Sequence, residues 1–241
     1  MSQRKKRTFR IEKDLLGEKR VPSTVYYGVQ TLRAMENFDI SGVPISHYPD
    51  LIRGLAIVKL AAARANHQVG NLSRKVLRGI EAACADLLDG KLHDEFQVDV
   101  FQGGAGTSTN MAANEVIANR ALEHMGHRKG EYEFCDPHDH VNLAQSTNDA
   151  YPSALHIAAI LGNERLIEEL ERLILSFRRK GRTFARIIKM GRTQLQDAVP
   201  MTLGQEFEAF ARTLEEEVHA MKIVQNALCE TNMGPGRRPL T

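Results

Sequence analysis

Residues 205–233 read QEFEAFARTLEEEVHAMKIVQNALCETNM, with no glycine and no proline. Phe207, Phe210, Leu214, Val218, Met221, Val224 and Leu228 recur at steps of three and four, the pattern of a helix with one apolar stripe. At 1.5 Å per residue such a helix runs roughly 40 Å. A helix of that length belongs in a bundle, because its stripe needs partners, and few residues follow it to supply them. Upstream, Leu166, Ile167, Leu170, Leu173, Ile174 and Phe177 repeat the pattern, so the chain reads as long helices from Ser153 onward. The fold class is mainly α.

Working outward, residues 51–69 are Ala-rich and helical in pattern. Ser73 is an N-cap for a helix running to about Leu88, with Gly90 as its stop. A further helix is expected from about Asn110 to Met125, ended by Gly126. Residues 91–109 and 127–152 read as loops. Thr8-Phe9-Arg10-Ile11 alternates like a short strand, and Gly17, Pro22, Gly28, Gly42, Pro44 and Pro49 then make the region up to residue 50 look irregular.

The 241 residues, 42% hydrophobic and 26% charged, are enough for one large domain or two smaller ones, and rule out low-complexity disorder, collagen and a disulfide scaffold. The most apolar run, Leu51 to Ala63, is broken by Arg53 and Lys59 and falls short of the ~20 residues a membrane span needs. Arg4-Lys5-Lys6-Arg7 leads into polar sequence, not a secretory signal. Cys84, Cys135 and Cys229 lie far apart, which suggests neither zinc site nor disulfide framework; a reduced, cytoplasmic protein is expected. The net charge of +2 owes everything to the first seven residues, since without their four basic side chains 28 basic residues face 30 acidic ones. That end, residues 1–8, reads as a frayed, disordered tail. It carries no interleaved aromatics, so neither nucleic acid nor membrane is expected as a partner.

Three segments share a chemical theme: Gly103-Gly104-Ala105-Gly106-Thr107-Ser108-Thr109-Asn110, Gln145-Ser146-Thr147-Asn148-Asp149, and Gly191-Arg192-Thr193-Gln194-Leu195-Gln196-Asp197. Each gathers hydroxyl and amide side chains in a turn. The first two lead into an expected helix, and the third precedes one after a short connection. Helix N-termini present unpaired N–H groups and a positive dipole end, and neutral donors add to them without a competing charge. Converging, they would hold a carboxylate and stabilise charge developing on it. Taken singly, each segment is better explained as a helix cap, and Ser146 with Asp149 fits a capping box. The glycine-rich loop lacks the nucleotide-binding spacings. His127, His138 and His140 match no zinc pattern. Arg33 and Arg192 are suited to clamping a carboxylate, though most arginines simply lie at the surface. The residues by themselves lead to a mostly helical protein with an anion site.

The wording of the segments goes further. Residues 102–115, QGGAGTSTNMAANE, resemble the first shared block of the aspartase/fumarase superfamily, and residues 145–152, QSTNDAYP, resemble its second. KMGRTQLQDAVPMTLGQEF, residues 189–207, and YYGVQTLRAMENF, residues 26–38, are similar to further family text, so the resemblance covers roughly residues 9–234. Within the superfamily the chain looks most like the aspartases. Class II fumarases usually carry His where Gln194 follows Gly191-Arg192-Thr193.

The resemblance implies a mixed N-terminal domain over 9–147 and, over 148–234, the first long helices of a central bundle, an incomplete aspartase-like fold. It implies reversible anti-elimination of ammonia from L-aspartate to give fumarate through an aci-carboxylate. Thr107, Ser146, Thr147, Asn148 and Thr193 would bind the substrate carboxylates and ammonium, with Gln194 a secondary polar contact and Arg33 near the site. No organic cofactor is implied; a divalent cation activates some members. The complete family form is a homotetramer with each site drawn from three chains. A fumarase-like hydratase and a non-catalytic assembly subunit are the alternatives. The family's third block, GSSxMPxKxNP, which carries the general-base serine and a substrate-binding lysine, is absent from these 241 residues, so no catalytic residue is assigned. Pro235-Gly236-Arg237-Arg238-Pro239-Leu240-Thr241 departs from family text like a shifted reading frame. The expectation is a fragment of a longer enzyme, inactive alone.

Overall fold

The structure, a computed structural model, describes residues 9–231. The basic tail of residues 1–8 and the aberrant run of residues 235–241 lie outside the described residues. The chain divides into two compact units, with the division between Ala158 and Ala159.

The first unit opens on an antiparallel hairpin of β1 (Phe9–Asp14) and β2 (Gly17–Pro22), registered from Phe9 opposite Pro22 to Asp14 opposite Gly17. Helices α1 (Val29–Asn37), α2 (Pro49–Gln68), α3 (Arg74–Leu88) and α4 (Thr107–His124) follow, and then the first turns of α5 (Thr147–Thr183). Helix α2 starts with Pro49 at its first turn, where a missing N–H costs nothing. Helix α3 is capped by Ser73, whose hydroxyl accepts from Val76 N, and Gly90 beyond its end is left-handed at φ +84°. Helix α4 is buried nearly all round, from Thr109 to Leu122, and packs on α1, α2 and α3. That explains its small, weakly amphipathic sequence: a central helix has no solvent face to keep polar. Ile52, Leu55, Ile80, Leu87, Phe96, Val116, Ile117 and Leu122 fill the core.

Two regions read as irregular are ordered by distant partners. The N-terminus of α1 is held by Glu115 of α4: its carboxylate accepts from Gly28 N (2.8 Å), Gln30 N (2.9 Å), Thr31 N (3.1 Å) and the Thr31 hydroxyl (2.6 Å). Asp99 likewise gathers Ser41 N, Gly42 N, the Ser41 hydroxyl and Phe101 N. Between α4 and α5 the chain makes one wide turn, Pro137–Val141, capped by Asp136.

Gly54 sets the approach of α2 to α5. A Cβ there would stand 2.4 Å from the Ala154 carbonyl oxygen, a backbone atom that cannot swing aside. Gly54→Ala is expected to destabilise the protein by about 1–3 kcal/mol despite its better helix propensity, read by urea unfolding.

The second unit comprises the remainder of α5, a hairpin of β3 (Ile188–Thr193) and β4 (Gln196–Thr202), and α6 (Leu203–Ala227). Ile167, Ile174, Ala211 and Val218 form its core, with Leu170, Phe177, Leu214 and Met221 packed around it. The helices run antiparallel, since Asn163 meets Gln225 at one end and Phe177 meets Phe207 and Phe210 at the other. Thr202 and Gln205 form a capping box at the start of α6. One side of the expected apolar stripe is thus covered by α5, while Phe210 and Val224 stay exposed. Among the described residues no helix is long and apolar enough to cross a membrane.

Candidate functional site

Helix α4 starts earlier than its sequence pattern suggests, at Thr107, because Gly106 takes a left-handed conformation (φ +80°) and turns the chain into it. Its N-cap residue, Gly106, has no side chain to cap it, and one first-turn donor is met from upstream. Thr109 N is taken by Gln102 Oε1 (2.9 Å), whose amide donates back to the Thr109 hydroxyl (2.7 Å). That leaves Thr107 and Ser108 to present first-turn N–H groups with no capping side chain, and the Thr107 hydroxyl makes no hydrogen bond among the described residues. The capping explanation therefore does not apply to the first segment.

At the second segment it does, in part. Ser146 stands just ahead of α5, its hydroxyl accepting from Asn148 N (3.3 Å) and its N–H reaching Asp149 Oδ2 (3.4 Å). Thr147 behaves differently. Its hydroxyl accepts from Asn110 Nδ2 (3.2 Å), which leaves the hydroxyl proton without an acceptor among the described residues. Asn110 lies one turn into α4, so this bond ties the two helix starts together. Tyr151 of α5 completes the junction: a Cβ on Gly106 would stand 2.5 Å from its ring. Burial raises the Tyr151 phenol above its ordinary value, so it stays a neutral donor.

Beneath the junction lies an amide cluster in which Asn110 is buried and Asn142 and Gln145 are half-buried. Asn142 Oδ1 accepts from Asn110 Nδ2 (3.2 Å) and from Lys59 Nζ (2.8 Å), and Gln145 Oε1 also accepts from Lys59 (3.1 Å). Asn110 and Gln145 belong to the donor segments of the sequence, whereas Asn142 and Lys59 carry no such local signal. Lys59 registered only as a charge interrupting an apolar run. Its signal was position: it falls on the buried stripe of Ile52, Leu55, Ala56 and Ala63 at steps of three and four.

The other expected site residues sit in other elements. Arg33, on α1, already clamps a carboxylate of the protein: Nε and Nη2 donate to Asp14 at 2.8 and 3.0 Å, and Nη2 to the Gly17 carbonyl. Thr193 and Gln194 belong to the second unit. They form the exposed tip of the β3–β4 hairpin, with Gln194 left-handed at φ +52°; β4 is the short connection between this segment and α6. Arg192 pairs there with Asp197 at 3.2 Å. The loop histidines have structural partners: His127 stacks on Phe134, His138 meets the Gln30 amide, and His140 Nδ1 accepts from Asp136 N. Among the described residues no group of three His, Cys, Asp or Glu side chains is arranged to hold a metal ion.

Comparison with known proteins adds a family to this geometry. A family profile described as "Lyase" matches residues 17–236. The aspartate ammonia-lyase of Pseudomonas canavaninivorans is 59% identical over 228 residues, covering 94% of this chain and 48% of that protein. The aspartate ammonia-lyase of Escherichia coli is 54% identical over 226 residues, covering 93% of this chain and 47% of that protein. Among solved structures, a fumarate lyase:delta crystallin from Brucella melitensis superposes with a TM-score of 0.92 at 54% identity, over 94% of this chain and 49% of that one. A class II fumarase from Schistosoma mansoni gives 0.87 at 34% identity, over 93% and 47%. The chain spans about half the length of the curated relatives it matches.

Proposed function

The chain belongs to this lyase family, and on that premise we propose that it supplies the carboxylate-binding part of an aspartate ammonia-lyase, which eliminates ammonia reversibly from L-aspartate to give fumarate. The observation that carries the reading is the start of α4, where the Thr107 and Ser108 N–H groups have no capping side chain, tied through Asn110 to the Thr147 hydroxyl. Loss of a Cβ proton beside the β-carboxylate puts a second negative charge on that group. Fixed N–H and hydroxyl donors stabilise such a charge without reorganising, and a water-poor site strengthens them. Thr107, Ser146, Thr147 and Asn148 are assigned to the carboxylates. Thr193 and Gln194 are assigned to the substrate as well, from the second unit. Arg33, engaged by Asp14, is assigned to holding the β1–β2 hairpin on α1.

The same reading takes the whole protein as a cytoplasmic homotetramer without organic cofactor. Leu173, Phe210 and Val224, exposed on the second unit, support further helix packing there.

The test is a chimera joining residues 9–231 to the remaining half of the Pseudomonas relative. Fumarate formed from L-aspartate, with L-malate inert, is the expected result. Fumarate from L-malate alone would move the assignment to a hydratase, which the 34% identity to a class II fumarase keeps as the second reading. A folded chimera inert with both substrates overturns the lyase reading of these residues.

A further inference from the structure

We propose that Lys59 is the positioning residue of this site: its ammonium holds Asn142 and Gln145, and through Asn142 and Asn110 it keeps the Thr147 hydroxyl placed for a ligand carboxylate. The proposal rests on the anion-site reading of Thr107 and Ser146–Asn148.

Lys59 is fully buried inside α2. A buried lysine ordinarily has a carboxylate beside it, because an isolated charge in a low-dielectric interior is costly. Among the described residues none pairs with Lys59. Its partners are two amide oxygens, Asn142 Oδ1 and Gln145 Oε1.

These two residues organise the whole turn ahead of α5. Asn142 Nδ2 donates to the Gln145 carbonyl, Gln145 Nε2 donates to the Val141 carbonyl, and Ala144 between them is left-handed at φ +55°. Asn142 Oδ1 also receives Asn110 Nδ2, which is shared with the Thr147 hydroxyl. Three bonds therefore lead from the ammonium to Thr147.

A filler for this space would be apolar and a mere loop anchor would be a neutral amide. A cation with neutral partners leaves its charge unbalanced until an anion arrives nearby. Cys84 of α3 is the titratable group that bears on Lys59, and burial pushes its thiol up to about 12, so it stays neutral. The groups facing the ammonium from the loop are the amides of Asn142 and Gln145. Burial lowers the ammonium itself to about 7, within reach of titration.

The full 241-residue chain, labelled for NMR, tests this. In the wild type the side-chain amides of Asn110 and Asn142 and the backbone amides of 146–148 are expected to titrate with one midpoint near neutrality. Lys59→Met and Lys59→Gln, with core resonances retained, are expected to abolish that titration. Fumarate, as the dicarboxylate probe, is expected to raise the wild-type midpoint and to bind at least tenfold more weakly to both variants. Resonances flat between pH 6 and 9 in the wild type, or variant affinity within twofold of it, overturn the proposal. If the wild type does not bind fumarate, the anion-site reading fails, and the titration still decides whether Lys59 governs the turn: its absence in the wild type, or its persistence in a folded Lys59→Met or Lys59→Gln chain, overturns that role.

Discussion

Glu115→Ala is expected to destabilise the first unit by about 3–5 kcal/mol, enough to unfold α1 and the β1–β2 hairpin before the rest. The carboxylate is the shared acceptor for four donors, three backbone N–H groups at the start of α1 and the Thr31 hydroxyl. Truncation strands all four in a dry interior, and each buried unsatisfied group costs about 1–3 kcal/mol. Gln30 and Gly28 lie more than eighty residues away in sequence, so nothing local replaces the lost bonds. Glu115→Gln should be milder, since one carbonyl oxygen remains to accept. Urea unfolding followed by far-ultraviolet circular dichroism measures both.

The same residue has a pH signature of the less usual sign. Burial pushes the Glu115 carboxyl up to about 6, with the Glu12 charge adding to it and bonds from Thr31 and Gln30 opposing. Its folded value lies above its unfolded one, so its ionisation favours the unfolded chain. Between pH 6 and 4.5 the folded state holds the proton more tightly, and acidification through that window adds up to about 2 kcal/mol from this site. Asp99 works the other way. Burial alone would raise it, but donors from Phe101, Ser41 and Gly42 outweigh this and hold it well below the usual carboxylate range. Its stability is present above about pH 4 and lost as the pH falls further. Thermal unfolding should therefore show a rise from pH 7 toward 5 that Glu115→Gln lacks, then a fall. A monotonic loss of stability from pH 7 downward in the wild type would refute this account.

Gly106→Ala is the second large effect. Gly106 sits at φ +80°, where an L side chain costs about 1–2 kcal/mol. Its new Cβ would also stand 2.5 Å from the Tyr151 ring, adding an overlap cost of about 1–3 kcal/mol. Relief requires α4 to move away from the first turn of α5, which stretches the Asn110–Thr147 bond of 3.2 Å. The expected outcome is a loss of about 2–5 kcal/mol in urea unfolding, together with weakened fumarate binding. Unchanged fumarate affinity in a folded Gly106→Ala chain would show that the two helix starts do not act as one site.

Much of the helical layout is legible locally. Ser73 and Gly90 mark the ends of α3 because a cap hydroxyl and a left-handed stop act within one turn. Residues 51–69 anticipate α2, and the stripe from Phe207 anticipates α6. Other elements are not legible. Helix α1, VQTLRAMEN, is only nine residues long, starts without a capping side chain of its own and depends on Glu115. The strands GEKRVP and QDAVPMT carry a proline and few apolar residues, and each is ordered by its hairpin partner. The site divides in the same way. Its hydroxyl and amide vocabulary is visible at Thr107–Asn110 and Gln145–Asn148, whereas Asn142 is an ordinary polar residue until the fold joins it to Asn110 and Lys59.

The sequence by itself determined the helical class, the family text and the donor types suited to a carboxylate, because periodicity, capping chemistry and motif wording act over a few residues. Only the tertiary structure decided which helix start was left uncapped, that Arg33 is spent on Asp14, and that Lys59 is buried beneath the turn. Those outcomes depend on which distant polar groups meet inside a low-dielectric core. There each donor and acceptor must find a partner, and spacing along the chain does not say which.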